Sequence, residues 1–87
     1  MPIMSGIEAL THGVIAWGYE KGILPNPQPL AQFEKTCEEI QELHEAILDN
    51  DPDQVEDAIG DIMVTLIMQC EAWDLTLEDC LEQAYNT

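Results

Sequence analysis

The chain has 87 residues, with 18 Asp and Glu against two Lys and no Arg, for a formal charge of −16. That length supports one domain spanning 1–87 with a modest core, so partner subunits are expected wherever apolar surface is left over. With almost no basic footprint to release counterions, a nucleic-acid partner is excluded, and an anionic membrane surface is disfavoured for the same reason.

Cys37, Cys70 and Cys80 are odd in number and form no C-x-x-C pair. They read as reduced, buried thiols of a reducing compartment. No cationic and apolar signal segment opens the chain, and the run "IMVTLIM" at 62–68 is far short of the about 20 residues a bilayer requires. A cytoplasmic protein is the expectation.

The punctuation predicts four helices and no strands, an all-α fold. Ser5 with Glu8 three residues later suits a capping box, opening a helix that runs to about Lys21 and stops at Gly22. The stretch "LPNPQP" carries three prolines in six residues and reads as an extended connector. A second helix from about Leu30 to Leu48 shows Phe33, Cys37, Ile40, Leu43 and Ile47 at spacings of three and four, an apolar stripe of helical period. Asp51 then Pro52 reads as an N-cap and first-turn proline for a third helix reaching about Trp73. Thr76 with Asp79 caps a short fourth helix from Leu77 to about Tyr85.

The third helix is apolar nearly all round. Ile59, Ile62, Met63, Leu66, Cys70 and Trp73 form one face, and Val64 and Met68 lie opposite. Such a helix is buried on both sides, and so short a chain has too few helices to cover it. A four-helix-bundle-type assembly across a dimer or tetramer is therefore expected. His44 falls on the apolar side of the second helix and reads as a core histidine.

Ten acidic residues lie between Lys35 and Ile62. Glu38, Glu39 and Glu42 sit three and four apart, so their carboxylates can converge on one patch of the second helix. Asp57 and Asp61, four apart on the third, project on the Val64 and Met68 side. A carboxylate on a packed face must be paired or coordinate a metal, and two lysines offer little pairing. Packed antiparallel through "DNDPD", the two helices would aim Glu38, Glu39 and Glu42 at Asp57 and Asp61. An all-oxygen carboxylate site suits Mg²⁺ or Mn²⁺ over zinc. Asp49, Asp51 and Asp53 imitate the start of a calcium loop, but Gln54 stands where glycine is needed and Gly60 where the bidentate Glu belongs.

The pattern "KTCEEIQELHEAI" followed by "DAIGDIMVTLI" resembles the MazG-like, all-α nucleoside triphosphate pyrophosphohydrolases, with E-E-x-x-E on one helix and E-x-x-D on the next. The similarity runs from about Trp17 to Asn86, and small single-domain phage and bacterial members look closest. The resemblance implies Mg²⁺-dependent cleavage between the α- and β-phosphates of a nucleoside triphosphate. It implies Glu39, Glu42 and Asp61 as metal ligands, and Glu38 as a further ligand or the group that orients and deprotonates the attacking water. Ala58 stands where the pattern has the Glu of E-x-x-D, and Asp57 is the candidate to replace it. The Lys/Arg-rich continuation common in the family does not follow "AYN". Phosphate contacts are then expected from Lys35, Lys21 or a neighbouring subunit, or else activity is reduced; Trp17 stacking on a base and Asn86 are further candidate substrate contacts. Three of these have a plainer reading: Lys35 as an ion pair with Glu38 or Glu39, Trp17 as packing, Asn86 as a helix end. The competing function is a non-catalytic acidic helical module that binds a metal or a basic partner.

Overall fold

In a computed structural model, which describes residues 6–87, the chain forms α1 (Gly6–Glu20), α2 (Pro29–Leu48), α3 (Pro52–Ala72) and α4 (Leu77–Tyr85). The described residues contain no strand, and the expected all-α class holds. No helix among them is long and apolar enough to cross a membrane. Ser5, half of the capping box expected for α1, lies outside the described residues.

The first three helices end in the same way. Gly22, Asn50 and Asp74 take positive φ values of 76°, 51° and 57°. Behind them, Ile23 N–H donates to the Gly18 carbonyl, Asp51 N–H to that of Ala46 and Leu75 N–H to that of Cys70, at 3.0, 3.1 and 2.9 Å. This is the Schellman arrangement, which satisfies carbonyls a helix terminus would otherwise leave unpaired. Helix starts follow the sequence: the Asp51 side chain accepts from Gln54 N–H at 3.2 Å, Thr76 accepts from Asp79 N–H at 3.1 Å, and Pro29 occupies the first turn of α2.

The turn between Leu48 and Pro52 folds α2 and α3 into an antiparallel hairpin. Two hydrogen bonds fix their register. Thr36 Oγ1 donates to Thr65 Oγ1 at 2.7 Å, and Gln69 Nε2 donates to the Pro29 carbonyl at 3.0 Å. Along the inner face of α2, Gln32, Thr36, Glu39, Leu43 and Ala46 are half-buried or buried, at spacings of four and three. On α3 the matching face runs through Val55, Ala58, Ile62, Thr65 and Gln69. Ala46 and Ala58 are 5% and 3% exposed, so small side chains let the two helices approach closely.

This inner face is not the apolar stripe read from the sequence. Phe33, Ile40 and Ile47 are 58%, 51% and 56% exposed, Cys37 is exposed, and only Leu43 of that set turns partly inward. His44, expected in the core, is exposed too. The register set by the Thr36–Thr65 bond turns the largest apolar groups of α2 away from α3. On α3, Ile59 and Trp73 are exposed while Cys70 and Met68 are buried.

The core of the single chain lies on the other side of α3, where Leu24, Ile67 and Met68 meet Val14, Ile15, Ile23 and Leu77. The expectation that the Met68 side of α3 is packed is met, with Met68 only 1% exposed. α1 rests on α3 and stands clear of α2. Cys70 is buried, whereas Cys37 and Cys80 are exposed and all three are free thiols, so the expectation of burial holds for Cys70 alone. Burial, then the neighbouring Cys80 thiol and Glu71, push the Cys70 pKa up to about 11.

Gly18 of α1 packs against Met68 of α3. A Cβ there would lie 2.9 Å from Met68 Sδ and 3.0 Å from Leu24 Cδ1, inside contact distance of the most buried side chain. Gly18→Ala gains about 1 kcal/mol of helix propensity but overpacks the core at a cost of about 1–3 kcal/mol, so a net destabilisation of up to about 2 kcal/mol is expected. Urea denaturation followed by circular dichroism would measure it, and a midpoint raised above that of the wild type would contradict this packing.

Candidate metal centre

Glu39 and Glu42 are three residues apart on α2, and Asp61 faces them from α3. One carboxylate oxygen from each lies within 4.8 Å of the other two. Glu39 and Asp61 are half-buried and Glu42 is exposed, so the group opens to solvent on one side. Glu39 Oε2 is shut off from solvent with no hydrogen-bond donor facing it. Among the described residues the one ion pair joins Lys35 Nζ to Glu38 Oε2 at 3.3 Å, with both side chains largely exposed. Among the described residues no cation is ion-paired with these three acids.

The electrostatics follow from this crowding. Burial, then a hydrogen bond with Glu42 and the charges of Glu42, Asp61 and Glu38, raise the Glu39 pKa above its ordinary value. Asp61 is raised by burial and by the charges of Asp57 and Glu42, and lowered in part by its bond with Glu39. Two carboxylates can share a hydrogen bond only by holding a proton between them. A divalent cation would replace that proton and give Glu39 Oε2 a partner. Hard oxygen donors open to water on one side suit Mg²⁺ or Mn²⁺, so the residues present fit such an ion.

Two cavities meet at Asp61. The larger, about 800 Å³, fills the gap between α1 and α2 and has a mostly apolar wall that includes Trp17, Val14 and Met68, with Glu39 and Asp61 at one end. The smaller, about 410 Å³, is lined by Asp53, Glu56, Asp57, Gly60 and Asp61. Lys35 and Trp17 both line the larger cavity. Asn86, exposed at the end of α4, lines neither.

Of the residues singled out from sequence, the fold brings Glu39, Glu42 and Asp61 together and sets Trp17 and Lys35 beside them. Glu38 stands outside the three-carboxylate group, turned to Lys35. Asp57 is exposed in the acidic cavity, where it acts on Asp61 through its charge. Ala58 lies buried one turn before Asp61. Sequence reasoning missed Thr65 and Gln32 in the larger cavity. Their signal was register, since Gln32 and Thr36 share the three-and-four spacing of Glu39.

A family model described as the MazG nucleotide pyrophosphohydrolase domain matches residues 28–86. Among curated proteins, the chain is 29% identical over 65 residues to an uncharacterized 18.2 kDa protein in the rep-hol intergenic region of Haemophilus phage HP1 (strain HP1c1). That match covers 75% of this chain and 40% of the phage protein. No solved structure matches.

The raised carboxyls give the metal-free protein a pH dependence of definite sign. A folded pKa above the unfolded one contributes stability that is complete below the unfolded value and is lost as pH rises through the folded value. The melting temperature without divalent cations is therefore expected to rise as pH falls from 7 toward the ordinary carboxyl values, 4.5 for Glu39 and 3.8 for Asp61. Glu39→Gln should flatten that rise. Differential scanning calorimetry across this window checks both, and a slope that Glu39→Gln leaves unchanged would place its source elsewhere.

Proposed function

The chain belongs to the MazG nucleotide pyrophosphohydrolase family, and from that premise we propose that it hydrolyses nucleoside triphosphates, ribo or deoxy, to monophosphate and pyrophosphate with Mg²⁺ as cofactor. Mn²⁺ is the natural substitute. The role is housekeeping of the nucleotide pool in the cytoplasm. The observation that carries the reading is the solvent-shielded, unpartnered Glu39 oxygen within a group of three carboxylates at the end of an apolar cavity.

Glu39, Glu42 and Asp61 hold the cation, and Asp57 adds negative charge behind Asp61. When bound, the cation supplies neutralisation of the triphosphate and a positive field at the scissile anhydride. Released from its ion pair as Lys35 turns to a phosphate, Glu38 orients the attacking water and accepts its proton as the water oxygen bonds to the α-phosphorus. The bond from that phosphorus to the bridging oxygen breaks, and pyrophosphate leaves. Lys35, within ion-pair distance of Glu38 at the cavity's edge, contacts a phosphate. Trp17 offers an aromatic surface for a base. Asn86 would reach substrate only from a neighbouring copy, because in its own chain it lies outside both cavities.

A second copy of the chain covers the outward stripe of α2. Phe33, Ile40 and Ile47, with Ile59 and Trp73 of α3, are each at least half exposed, which is more apolar surface than one small soluble chain ordinarily leaves bare. A dimer or tetramer follows. Ile40→Glu with Ile47→Glu should reduce the mass found by light scattering to that of one chain. A wild type already monomeric at micromolar concentration would rule out this use of the stripe.

Ala58 favours a second reading, an acidic helical module that binds a cation or a basic partner without catalysis, since it removes a carboxylate from the expected place. Incubating the protein with each common nucleoside triphosphate and MgCl₂ separates the two readings. Release of monophosphate and pyrophosphate, reduced at least about a hundredfold by Glu42→Gln and Asp61→Asn, is the expected result. An inert wild type whose melting temperature still rises with millimolar MgCl₂, but not with NaCl of equal ionic strength, would establish the module instead.

A further inference from the structure

Gln32, Lys35, Glu39 and Glu42 follow one another along α2 at spacings of three, four and three, so they share one side of the helix. At 1.5 Å per residue, Gln32 lies about 10 Å along the axis from Glu39. Both line the larger cavity. A triphosphate gathered at the carboxylates has two directions in which to send its sugar and base. Toward the start of α3 lies the smaller cavity, walled by Asp53, Glu56 and Asp57, which repels phosphate and offers a flat apolar ring nothing to pack on. Toward the start of α2 lies the larger cavity, whose facing wall is Leu10, Val14 and Trp17 of α1.

The polar groups in that cavity are mostly engaged. Thr65 Oγ1 donates to the Ile62 carbonyl and accepts from Thr36, both at 2.7 Å. Lys35 pairs with Glu38, and Glu39 and Asp61 belong to the acidic group. Among the described residues, the Gln32 side-chain amide makes no hydrogen bond, although the residue is half-buried. An amide presents both a donor and an acceptor, and at a half-buried position on the cavity wall it favours a ligand edge that matches that pair over one that does not. Across the cavity, Gly13 adds no side chain, and a Cβ built there would meet nothing within 4 Å.

We infer that a nucleoside triphosphate lies along α2 with its base directed to the helix N-terminus, and that Gln32 is the specificity-determining residue that hydrogen-bonds the base edge. Gly13 keeps open the space the base occupies. The inference rests on the nucleotide substrate proposed above, and its test is a binding measurement that does not need turnover.

Calorimetric titration of the α,β-imido analogues of the four deoxynucleoside triphosphates, in MgCl₂, gives a dissociation constant for each base. The wild type should discriminate among them, and Gln32→Leu should narrow the spread between best and worst by about tenfold, the effect of one neutral hydrogen bond. Gly13→Val should weaken all four at least about tenfold with an unchanged melting temperature. The rise of melting temperature with MgCl₂ alone should survive both substitutions. Equal affinities in the wild type, a spread that Gln32→Leu leaves intact, or a Gly13→Val variant that binds normally would each overturn this orientation and leave the proposed activity standing. No binding of any analogue by wild type, with the MgCl₂ effect retained, would remove the nucleotide reading itself.

Discussion

Like charges do not gather unless something holds them, and here the packing of α2 on α3 does the holding. The Thr36–Thr65 hydrogen bond and the small Ala46 and Ala58 side chains set a close approach between the two helices, and that approach brings Glu39 and Glu42 to Asp61. Burial and the charges of Glu42 and Asp61 push the Glu39 carboxyl upward, and burial with the charges of Asp57 and Glu42 does the same to Asp61. The folded chain therefore carries an electrostatic cost that a proton or a divalent cation removes, and a site whose empty form is disfavoured binds its cation the more readily. On the reading proposed above, cation binding and fold stability would be two faces of one equilibrium.

Much of the scaffold was legible because its signals are local. Asp51-Pro52, Thr76 and Gly22 act within one helical turn, and the structure uses each of them as the sequence suggested. Glu39, Glu42 and Asp61 were legible because spacings of three and four fix a helix face and a short turn fixes an antiparallel neighbour. Orientation of that face was harder. The stripe through Phe33, Ile40 and Ile47 is the stronger apolar signal on α2, yet the intrachain contact uses Gln32, Thr36, Glu39, Leu43 and Ala46. Hydrophobic periodicity reports that a face will be covered, not by which chain. Local composition also could not place Glu38, whose carboxylate follows the nearest cation, Lys35, away from the acidic group.

The division of labour among the helices explains where apolar surface remains. α3 serves two neighbours, giving Met68 and Ile67 to α1 and Thr65 and Ala58 to α2. It has little left with which to shield the rest of α2. The result is one helix hairpin whose inner seam mixes small and apolar residues with Gln32, Thr36, Glu39, Thr65 and Gln69, while its outer side exposes an apolar stripe among charged residues. The geometry of the carboxylates is thereby set within one chain by covalent connection and register, while Phe33, Ile40 and Ile47 stay exposed on it.

α1 is joined to the rest of the molecule through Val14, Ile15 and Gly18 against the Met68 cluster, and it makes no packing contact with α2. The span from Val14 back to Leu10 is about 6 Å of helix beyond those contacts, so a tilt of a few degrees at the Met68 contact translates into a few tenths of an ångström of jaw width at the far end. Evolution could thus alter the width of that gap by exchanging single atoms at a fulcrum remote from the acids, leaving the α2–α3 hairpin untouched.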